Sequence, residues 1–209
     1  MQFANREDAG RQLAEALRRF HGNETVVFAL PRGGVVLGAE VARVLKAPLT
    51  LSIPRKVGHP VNPEYAVCAV TERGAPVCNE QEVASLDPAW LERAIAAERK
   101  EAARRRSTYL GTKKAVSGTG KVALIVDDGV ATGLTMRAAI RDVRDRKPAR
   151  LVVAIPVVPA DTARLLRKEA DELVVLAEPA FFRGAVGAYY DDFPQVTDDE
   201  VIALLQNRR

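Results

Sequence analysis

Two adjacent carboxylates followed by a loop of small residues are the part of this 209-residue sequence best suited to chemistry. Asp127 and Asp128 come directly after the apolar segment 122–126, which is typical of a buried strand. In an open α/β sheet, the carboxyl end of such a strand lies at the edge where ligands bind. The acids lead into a loop made of Gly129, Val130, Ala131, Thr132, Gly133, Leu134 and Thr135.

This loop and these acids suit the two ends of a phosphorylated sugar. A helix is predicted to begin near Thr135, so backbone N–H groups of residues 131–135 and the hydroxyls of Thr132 and Thr135 can bind a phosphate at its N-terminus. The two carboxylates can accept hydrogen bonds from neighbouring sugar hydroxyls. Two acids leading into Gly-x-x-Thr-Gly are hard to explain as a solvated turn, and the spacing therefore predicts a sugar 5-phosphate site.

Two other segments hold groups that could meet anions. The first predicted strand ends in a turn that contains Arg32, Gly33 and Gly34. A simple tight turn also explains this pattern, so it identifies no ligand alone. Residues 54–65 predict an exposed loop, either an ordinary one or one that closes over a substrate, and it contains Arg55, Lys56 and Glu64.

The remaining sequence supplies elements that could position these groups. Strands are predicted at residues 25–30, 49–53, 67–70, 76–78, 122–126, 151–156 and 173–176. Helices are predicted at 8–20, 34–46, 85–110, 135–146, 161–170 and 197–206, with a linker at 111–121. Because strands and helices alternate, we predict a three-layer α/β/α fold around a mostly parallel sheet of about five strands. One domain is expected over residues 1–209, with a helical insert at about 80–120 and a C-terminal hood at about 179–209.

Two of the predicted helices carry recognisable start signals. Pro88 suits the first turn of the long helix, with Asp87 or Ser85 as its cap. Thr197 and Glu200 have the spacing of a capping box, which predicts where the last helix begins.

The segment that ends at Gly133 resembles the signature of the type I phosphoribosyltransferases, enzymes that use phosphoribosyl pyrophosphate (PRPP). That signature is four apolar residues, two acids, two variable residues, a small residue, Thr or Ser, and Gly, and every position is present. The order of strands and helices agrees over most of the chain. The resemblance implies a cytoplasmic transferase, expected to be a dimer, that moves phosphoribose from PRPP to a nitrogenous base or similar acceptor and releases pyrophosphate.

The resemblance also implies roles for individual residues. Asp127 and Asp128 would hold the ribose hydroxyls, and loop residues 131–135 the 5-phosphate. The pyrophosphate would meet Arg32, Gly33 and Gly34, and during departure it would meet Arg55 and Lys56. Because Mg²⁺ prefers phosphate oxygens with at most one or two carboxylates, we expect Mg²⁺ to bind mainly through PRPP, assisted by Asp127 or Asp128.

The acceptor is not identified, because the sequence cues conflict. Family members specific for 6-oxopurines have Asp where this chain has Ala131, and adenine members have Ala with a Glu-Tyr pair that resembles Glu64-Tyr65. Residues 187–191, however, resemble the tail of the 6-oxopurine group. Phe182 and Tyr189 belong to an aromatic cluster that could form the floor of a base pocket or simply core. Glu64 could activate the acceptor.

Composition argues against several other classes of protein. Lys and Arg number 31 against 27 acids, and the densest basic cluster, 104–106 with Lys113 and Lys114, is typical of a solvated helix face. Nucleic-acid binding is therefore not expected, although a PRPP-sensing regulator that binds RNA or DNA remains the alternative. No apolar run approaches the roughly 20 residues needed to cross a membrane. Cys68 and Cys78 are predicted to be buried, unpaired thiols of a reducing cytoplasm.

Overall fold

The strands of the protein form two separate sheets. The computed structural model describes residues 1–22, 24–111 and 116–206, and its strands are β1 Thr25–Ala29, β2 Leu49–Leu51, β3 Arg55–Gly58, β4 Ala66–Val70, β5 Val77–Cys78, β6 Val122–Val126, β7 Arg150–Val157 and β8 Glu172–Ala177. Five of these strands form an all-parallel sheet in the order β2-β1-β6-β7-β8. The other three form an antiparallel sheet in the order β3-β4-β5. The predicted α/β fold with a central parallel sheet is confirmed.

The helices cover both sides of the central sheet. The α-helices are α1 Arg6–Ala16, α2 Gly33–Leu45, α3 Glu80–Val83, α4 Pro88–Leu110, α5 Leu134–Arg144, α6 Ala160–Glu169 and α7 Asp198–Gln206. None of the described helices is long and apolar enough to cross a membrane. Part of the predicted linker at 111–121, with Lys113 and Lys114, lies outside the described residues.

The continuous apolar sequence of β6 follows from burial on both faces. Leu124 and Val126 pack in the layer that contains α1 and α2, whereas Ala123 and Ile125 pack in the layer that contains α5 and α6. All four side chains are fully buried. Successive side chains of a strand point to opposite faces, so a strand covered on both sides has no polar alternation. This buried strand holds the acid pair at its carboxyl end.

The helix caps are largely as predicted. Asp87 is the cap of α4, and its side chain accepts a hydrogen bond from the Ala89 N–H at 3.1 Å. The capping box before α7 is present, because Glu200 N–H donates to Thr197 Oγ1 at 3.2 Å and Thr197 N–H donates to Glu200 Oε2 at 2.6 Å.

The first helix differs from its prediction at both ends. It begins at Arg6 rather than at residue 8, and it stops at Ala16 before a separate 3₁₀ turn at Arg18–Phe20. Its buried residues include Arg6 as well as Ala9 and Leu13. The start was misplaced because a charged residue occupies the helix stripe that faces the interior.

The segment 54–65 is a loop only in part. Arg55 and Lys56 lie on β3, which pairs with β4 and buries Val57 inside the small sheet. The loop prediction is therefore wrong for residues 55–58. Neighbouring prolines suggested a loop, and only one residue of the short strand is buried, so no clear alternation marked it.

The prediction of two unpaired cysteines is wrong. Cys68 and Cys78 lie directly opposite each other on β4 and β5, with Cα atoms 4.0 Å apart, and they form a disulfide. Two residues separated by 10 positions were brought together by the register of a short antiparallel pair, which the sequence pattern does not reveal. Cys68 is completely buried, as predicted.

Candidate active site

Asp127 and Asp128 stand at the carboxyl end of β6, where the sequence pattern predicts them. Both residues are half-buried, and the side chain of Asp128 is 17% exposed. The backbone N–H of Asp128 donates to the Asp127 carboxylate at 2.9 Å. The strand thus delivers two neighbouring carboxylates to one edge of the sheet, with little solvent around them.

This environment makes both acids harder to ionise than a free aspartate. Burial raises the pKa of Asp127 well above its ordinary value, and the adjacent charge of Asp128 raises it further. Burial also raises the pKa of Asp128, although the hydrogen bond and charge of Arg6 partly offset this effect. Hydrogen-bond donors or a cation from a ligand would replace the solvation that the two carboxylates have lost.

Arg6 is a member of the site that the sequence analysis missed. Its Nε donates to Asp128 Oδ2 at 2.8 Å, and its side chain is only 9% exposed. The contact joins residues that are 122 positions apart, so no local spacing could indicate it. The available signal was a charged residue on the apolar stripe of α1, together with Ala9 and Leu13.

The turn with Gly33 and Gly34 lies directly against the acid pair. A Cβ atom at Gly33 would overlap the Asp128 carboxylate, and one at Gly34 would lie 2.7 Å from Asp127 Oδ1. A side chain at either position would therefore push the carboxylates away. Because α2 begins at Gly33, the N–H groups of Gly33 and Gly34 have no partner inside the helix, and both residues lie beside the acids. The structure thus joins two segments that the sequence presents separately.

The loop after the acids ends at the N-terminus of α5. Gly133 precedes the helix with a φ of 87°, a conformation that favours glycine, and no side chain of the described residues caps α5. Two hydrogen bonds hold the loop in place. Val130 N–H donates to the Val157 carbonyl at 3.0 Å, and the Thr162 hydroxyl donates to the Ala131 carbonyl at 2.8 Å. Thr132 is exposed. The geometry offers the uncapped donors of a helix N-terminus to an anion.

Arg32 directs its side chain toward the C-terminal helix. Its Nη1 lies 3.6 Å from Asp198 Oδ1, and the Tyr109 hydroxyl donates to the same oxygen at 2.7 Å. Burial, followed by this hydrogen bond, raises the pKa of Tyr109 to about 12, so that hydroxyl stays protonated. The Arg32 side chain is 28% exposed and remains accessible to an anion.

The structure pairs the other predicted cations with acids outside the central pair. Lys56 Nζ lies 2.8 Å from Glu64 Oε2, which joins two of the predicted catalytic residues. Arg55 Nε lies 2.9 Å from Glu98 Oε2. Within the described residues, no hydrogen bond or ion pair connects Arg55 or Lys56 to Asp127 or Asp128. The cations of the antiparallel sheet therefore form ion pairs with Glu64 and Glu98 that are separate from the acid pair.

The segment after β8 forms a cover over the acid strand. A Cβ atom at Gly129 would lie 2.5 Å from Val186 Cγ1, and the Tyr190 hydroxyl donates to the Asp128 carbonyl at 2.6 Å. Val186 was missed as a site residue, and Tyr190 was predicted only as a member of the aromatic cluster that could form a base pocket or core. Nothing in their sequence spacing relates them to the acids, although they stand in the aromatic segment that follows the last predicted strand.

The two aromatic residues predicted for an acceptor pocket contact each other. The rings of Phe182 and Tyr189 are stacked with centroids 5.4 Å apart. Tyr189 is only 2% exposed, and its hydroxyl accepts a hydrogen bond from the Arg183 N–H at 3.0 Å. Phe181, by contrast, is 91% exposed. Tyr189 therefore supports the cover from inside, while Phe182 is more accessible.

The basic cluster on α4 is neutralised by acids. Arg104 and Arg105 both donate to Glu101, and Arg106 donates to Glu72. The hydrogen bonds from the two arginines lower the pKa of Glu101 to about 2. The described part of this cluster is thus an ion-paired helix face rather than a row of free cations.

The acid pair suits a divalent cation that brings ligands of its own. Among the described residues, no group of three or more His, Cys, Asp or Glu could hold a metal alone. Mg²⁺ commonly binds one or two carboxylates together with substrate phosphates and water. Asp128 already has a cationic partner in Arg6, whereas the only donor to the Asp127 carboxylate among the described hydrogen bonds is a backbone N–H. Asp127 is therefore the better ligand.

Comparison with known proteins covers almost the whole chain. A family model described as phosphoribosyl transferase domain matches residues 2–192. Two Mycobacterium tuberculosis proteins, from strains CDC 1551 and H37Rv and named provisionally as phosphoribosyl transferases, are each 43% identical over 208 residues. The match covers 97% of this chain and 46% of each relative, so the chain spans about half their length. The crystal structure of TT1426 from Thermus thermophilus is 43% identical, covers 98% of both chains and gives a TM-score of 0.82.

Proposed function

Because this chain belongs to the phosphoribosyl transferase domain family, we propose that it transfers the 5-phosphoribosyl group of PRPP to a nitrogenous base or similar acceptor. The bond between C1 of ribose and the pyrophosphate oxygen breaks, a bond from C1 to the acceptor forms, and the acceptor loses a proton. The observation that carries the proposal is the contact of Gly33 and Gly34 with the acid pair, beside the uncapped start of α5.

Binding of ribose 5-phosphate uses the two ends of this arrangement. Asp127 and Asp128 accept hydrogen bonds from the ribose hydroxyls, which compensates for the burial that raises both pKa values. The backbone N–H groups of residues 131–135, with the hydroxyls of Thr132 and Thr135, bind the 5-phosphate at the N-terminus of α5. Both contacts hold the sugar at atoms other than C1, so their binding energy serves to orient C1.

Departure of pyrophosphate needs positive charge in place beforehand. The C1 carbon gains oxocarbenium character while negative charge grows on the leaving group, as in glycoside cleavage. The diphosphate is bound by Arg32 and by the N–H groups of Gly33 and Gly34 at the start of α2. Arg55 and Lys56 bind it from the antiparallel sheet. Glu64 holds Lys56 in the free enzyme and is the nearest acid to that cation. Closure of residues 59–65 over the site would exclude water from C1.

Mg²⁺ fits this site as a companion of the substrate. When bound, it would neutralise charge on the diphosphate and make pyrophosphate a better leaving group. Asp127 would hold it together with PRPP oxygens, and Asp128 stays with Arg6.

The acceptor would lie under the cover formed after β8. Val186 approaches the turn at Gly129, and Phe182 supplies a flat ring nearby on the same segment. Stacking on an aromatic ring is worth about 1–3 kcal/mol for a base. Ala131 provides no acid to assist a purine, so we expect an acceptor that is already nucleophilic or that is activated by Glu64.

The alternative, a PRPP-sensing regulator that binds RNA or DNA, has no specific observation in its favour. It needs a concentrated basic surface, and the described arginines of the α4 cluster are paired with Glu101 and Glu72. Failure to retard nucleic acid at low salt would dispose of this alternative.

Calorimetric titration with PRPP and Mg²⁺ tests the proposed function directly. Micromolar to submillimolar binding is expected, with loss in the double variant Asp127→Asn/Asp128→Asn and no change in the surface control Asp161→Asn. Absence of binding at millimolar PRPP would remove the proposal. If PRPP binds as expected, a screen of bases and amines for PRPP-dependent release of pyrophosphate would identify the acceptor.

A further inference from the structure

Arg6 is a buried cation at a position where it does not stabilise its own helix. It lies in the first turn of α1, where acidic residues are favoured, and it occupies the stripe that otherwise contains Ala9, Gly10, Leu13 and Ala14. Its side chain is 9% exposed. Moving a guanidinium out of water is costly unless charge and hydrogen bonds compensate for it.

Three contacts hold the guanidinium, one from the acid pair and two from the adjacent residues Phe193 and Pro194. Nε donates to Asp128 Oδ2 at 2.8 Å, and Nη1 donates to the Pro194 carbonyl at 2.6 Å. The Phe193 ring lies under the guanidinium, with 3.6 Å from Cζ to the ring centroid. A planar group with several donors can make such contacts at once, whereas the ammonium of lysine is a point charge.

These contacts link the acid strand to the cover. Phe193 also packs on Tyr190 with ring centroids 4.7 Å apart, and a Cβ atom at Gly187 would lie 2.9 Å from the Phe193 ring. Tyr190 in turn donates to the Asp128 carbonyl. Asp128 is therefore held by Arg6 at its side chain and by the cover at its backbone.

We propose that Arg6 is a positioning residue that fixes the Asp128 carboxylate for a ribose hydroxyl and fastens the 193–194 segment of the cover beside it. Oδ2 is held by Arg6, and the other carboxylate oxygen is left to accept from the sugar. The inference rests on the proposed function, because it assumes that Asp128 meets ribose. It adds a residue, outside the loops that surround PRPP, that acts through Asp128.

The test compares PRPP affinity in variants of Arg6 and of a neighbour on the same helix. Arg6→Met is expected to weaken PRPP binding by at least tenfold in calorimetric titration with Mg²⁺. Arg6→Lys keeps the charge without the planar fork and is expected to lose at least threefold but to bind better than Arg6→Met. Arg11→Met is the matched control, since Arg11 is 56% exposed in side chain and pairs only loosely with Asp8 at 3.7 Å, and it should stay within twofold of wild type.

A double-mutant cycle separates positioning from general support of the fold. If Arg6 acts through Asp128, adding Arg6→Met to Asp128→Asn should weaken PRPP binding by no more than a further twofold. Independent losses that multiply would overturn the inference, as would wild-type affinity in Arg6→Met. Should Arg6→Met fail to fold, Arg6→Lys decides, and wild-type affinity in that variant overturns the inference. No PRPP binding by the wild-type chain would overturn the proposed function itself, and this inference with it.

Discussion

Asp127→Asn is expected to make the unliganded protein more stable while it weakens PRPP binding. The asparagine oxygen can still accept the hydrogen bond that Asp128 N–H donates at 2.9 Å, so the substitution removes the charge and keeps this contact. That charge is unfavourable in the free protein, because burial and the neighbouring Asp128 raise the pKa of Asp127. Function and stability therefore make opposite demands on this position.

The pH dependence of the stability gain has a definite sign. Folding raises the pKa, so the folded protein binds the proton more tightly than the unfolded chain does. The protonated Asp127 contributes fully to the free energy of unfolding below the ordinary pKa of an aspartate, about 3.9. This contribution is lost as pH rises through the raised pKa of the folded protein. The melting temperature of Asp127→Asn should thus equal that of wild type near pH 4 or below and exceed it increasingly toward neutral pH. A gain of about 1 kcal/mol corresponds to about 2–4 °C for a chain of this size.

The loss of PRPP affinity follows from replacing a charged hydrogen-bond acceptor, the carboxylate, with a neutral one. A hydrogen bond to a charged group contributes about 1.5–3 kcal/mol and one between neutral groups about 0.5–1.5 kcal/mol. Replacing one carboxylate therefore removes roughly 1–1.5 kcal/mol, which is about 5- to 13-fold in the dissociation constant, and replacing both removes about 30- to 150-fold.

Scanning calorimetry between pH 4 and 8 and titration with PRPP measure the two effects. Asp128→Asn should show no such stability gain, because it removes the charged partner of the buried Arg6 guanidinium. A melting temperature of Asp127→Asn at or below wild type between pH 6 and 8 would refute the electrostatic reasoning. Unchanged affinity for PRPP in the double variant would refute the ribose assignment.

Three further predictions concern the leaving group, the acceptor and the last helix. The cations proposed to meet the diphosphate are Arg32, Arg55 and Lys56. Truncating any one of them should lower kcat/KM for PRPP but spare affinity for the nucleoside monophosphate product. Equal losses for both ligands would contradict the assignment. Phe182→Ala should raise the acceptor KM while PRPP affinity stays within about twofold, or ~0.5 kcal/mol; a lower melting temperature with unchanged acceptor kinetics would place the ring in the core instead. Thr197→Ala should destabilise the protein by about 1 kcal/mol in thermal unfolding, because it removes the cap of α7, and an unchanged melting curve would show that the capping box contributes nothing.

The parallel sheet and the acid pair could be predicted because their signals are local. Residues 123–126 are buried and β6 is apolar throughout, and the acids that follow it in the sequence therefore lie at its carboxyl end. The glycine before α5 and the caps at Asp87 and Thr197 are likewise set by a few neighbouring residues. The proposed roles of these residues, Mg²⁺ binding and the expected dimer stay predictions.

The errors arose where a residue or strand depends on contacts with another segment of the chain. Arg6 reaches an acid 122 residues away, and its burial is visible only when α1, β6 and the cover are assembled. The disulfide depends on the register that sets Cys68 opposite Cys78, and strand β3 depends on pairing with β4 rather than on its own alternation. Each case needed the partner segment, which a single stretch of sequence cannot specify.

The close contact of Gly33 and Gly34 with the acids limits how this site can evolve. Every amino-acid replacement of glycine adds a Cβ atom, and at these two positions that atom would meet Asp128 Oδ2 or Asp127 Oδ1. No graded series of substitutions is therefore open to the turn, and a mutational library there should retain activity almost only with glycine. Phe181, which is 91% exposed on the cover, can be exchanged without disturbing the acids. Under the proposed function, divergence toward new acceptors would then proceed through the cover, while the turn proposed to meet pyrophosphate stays unchanged.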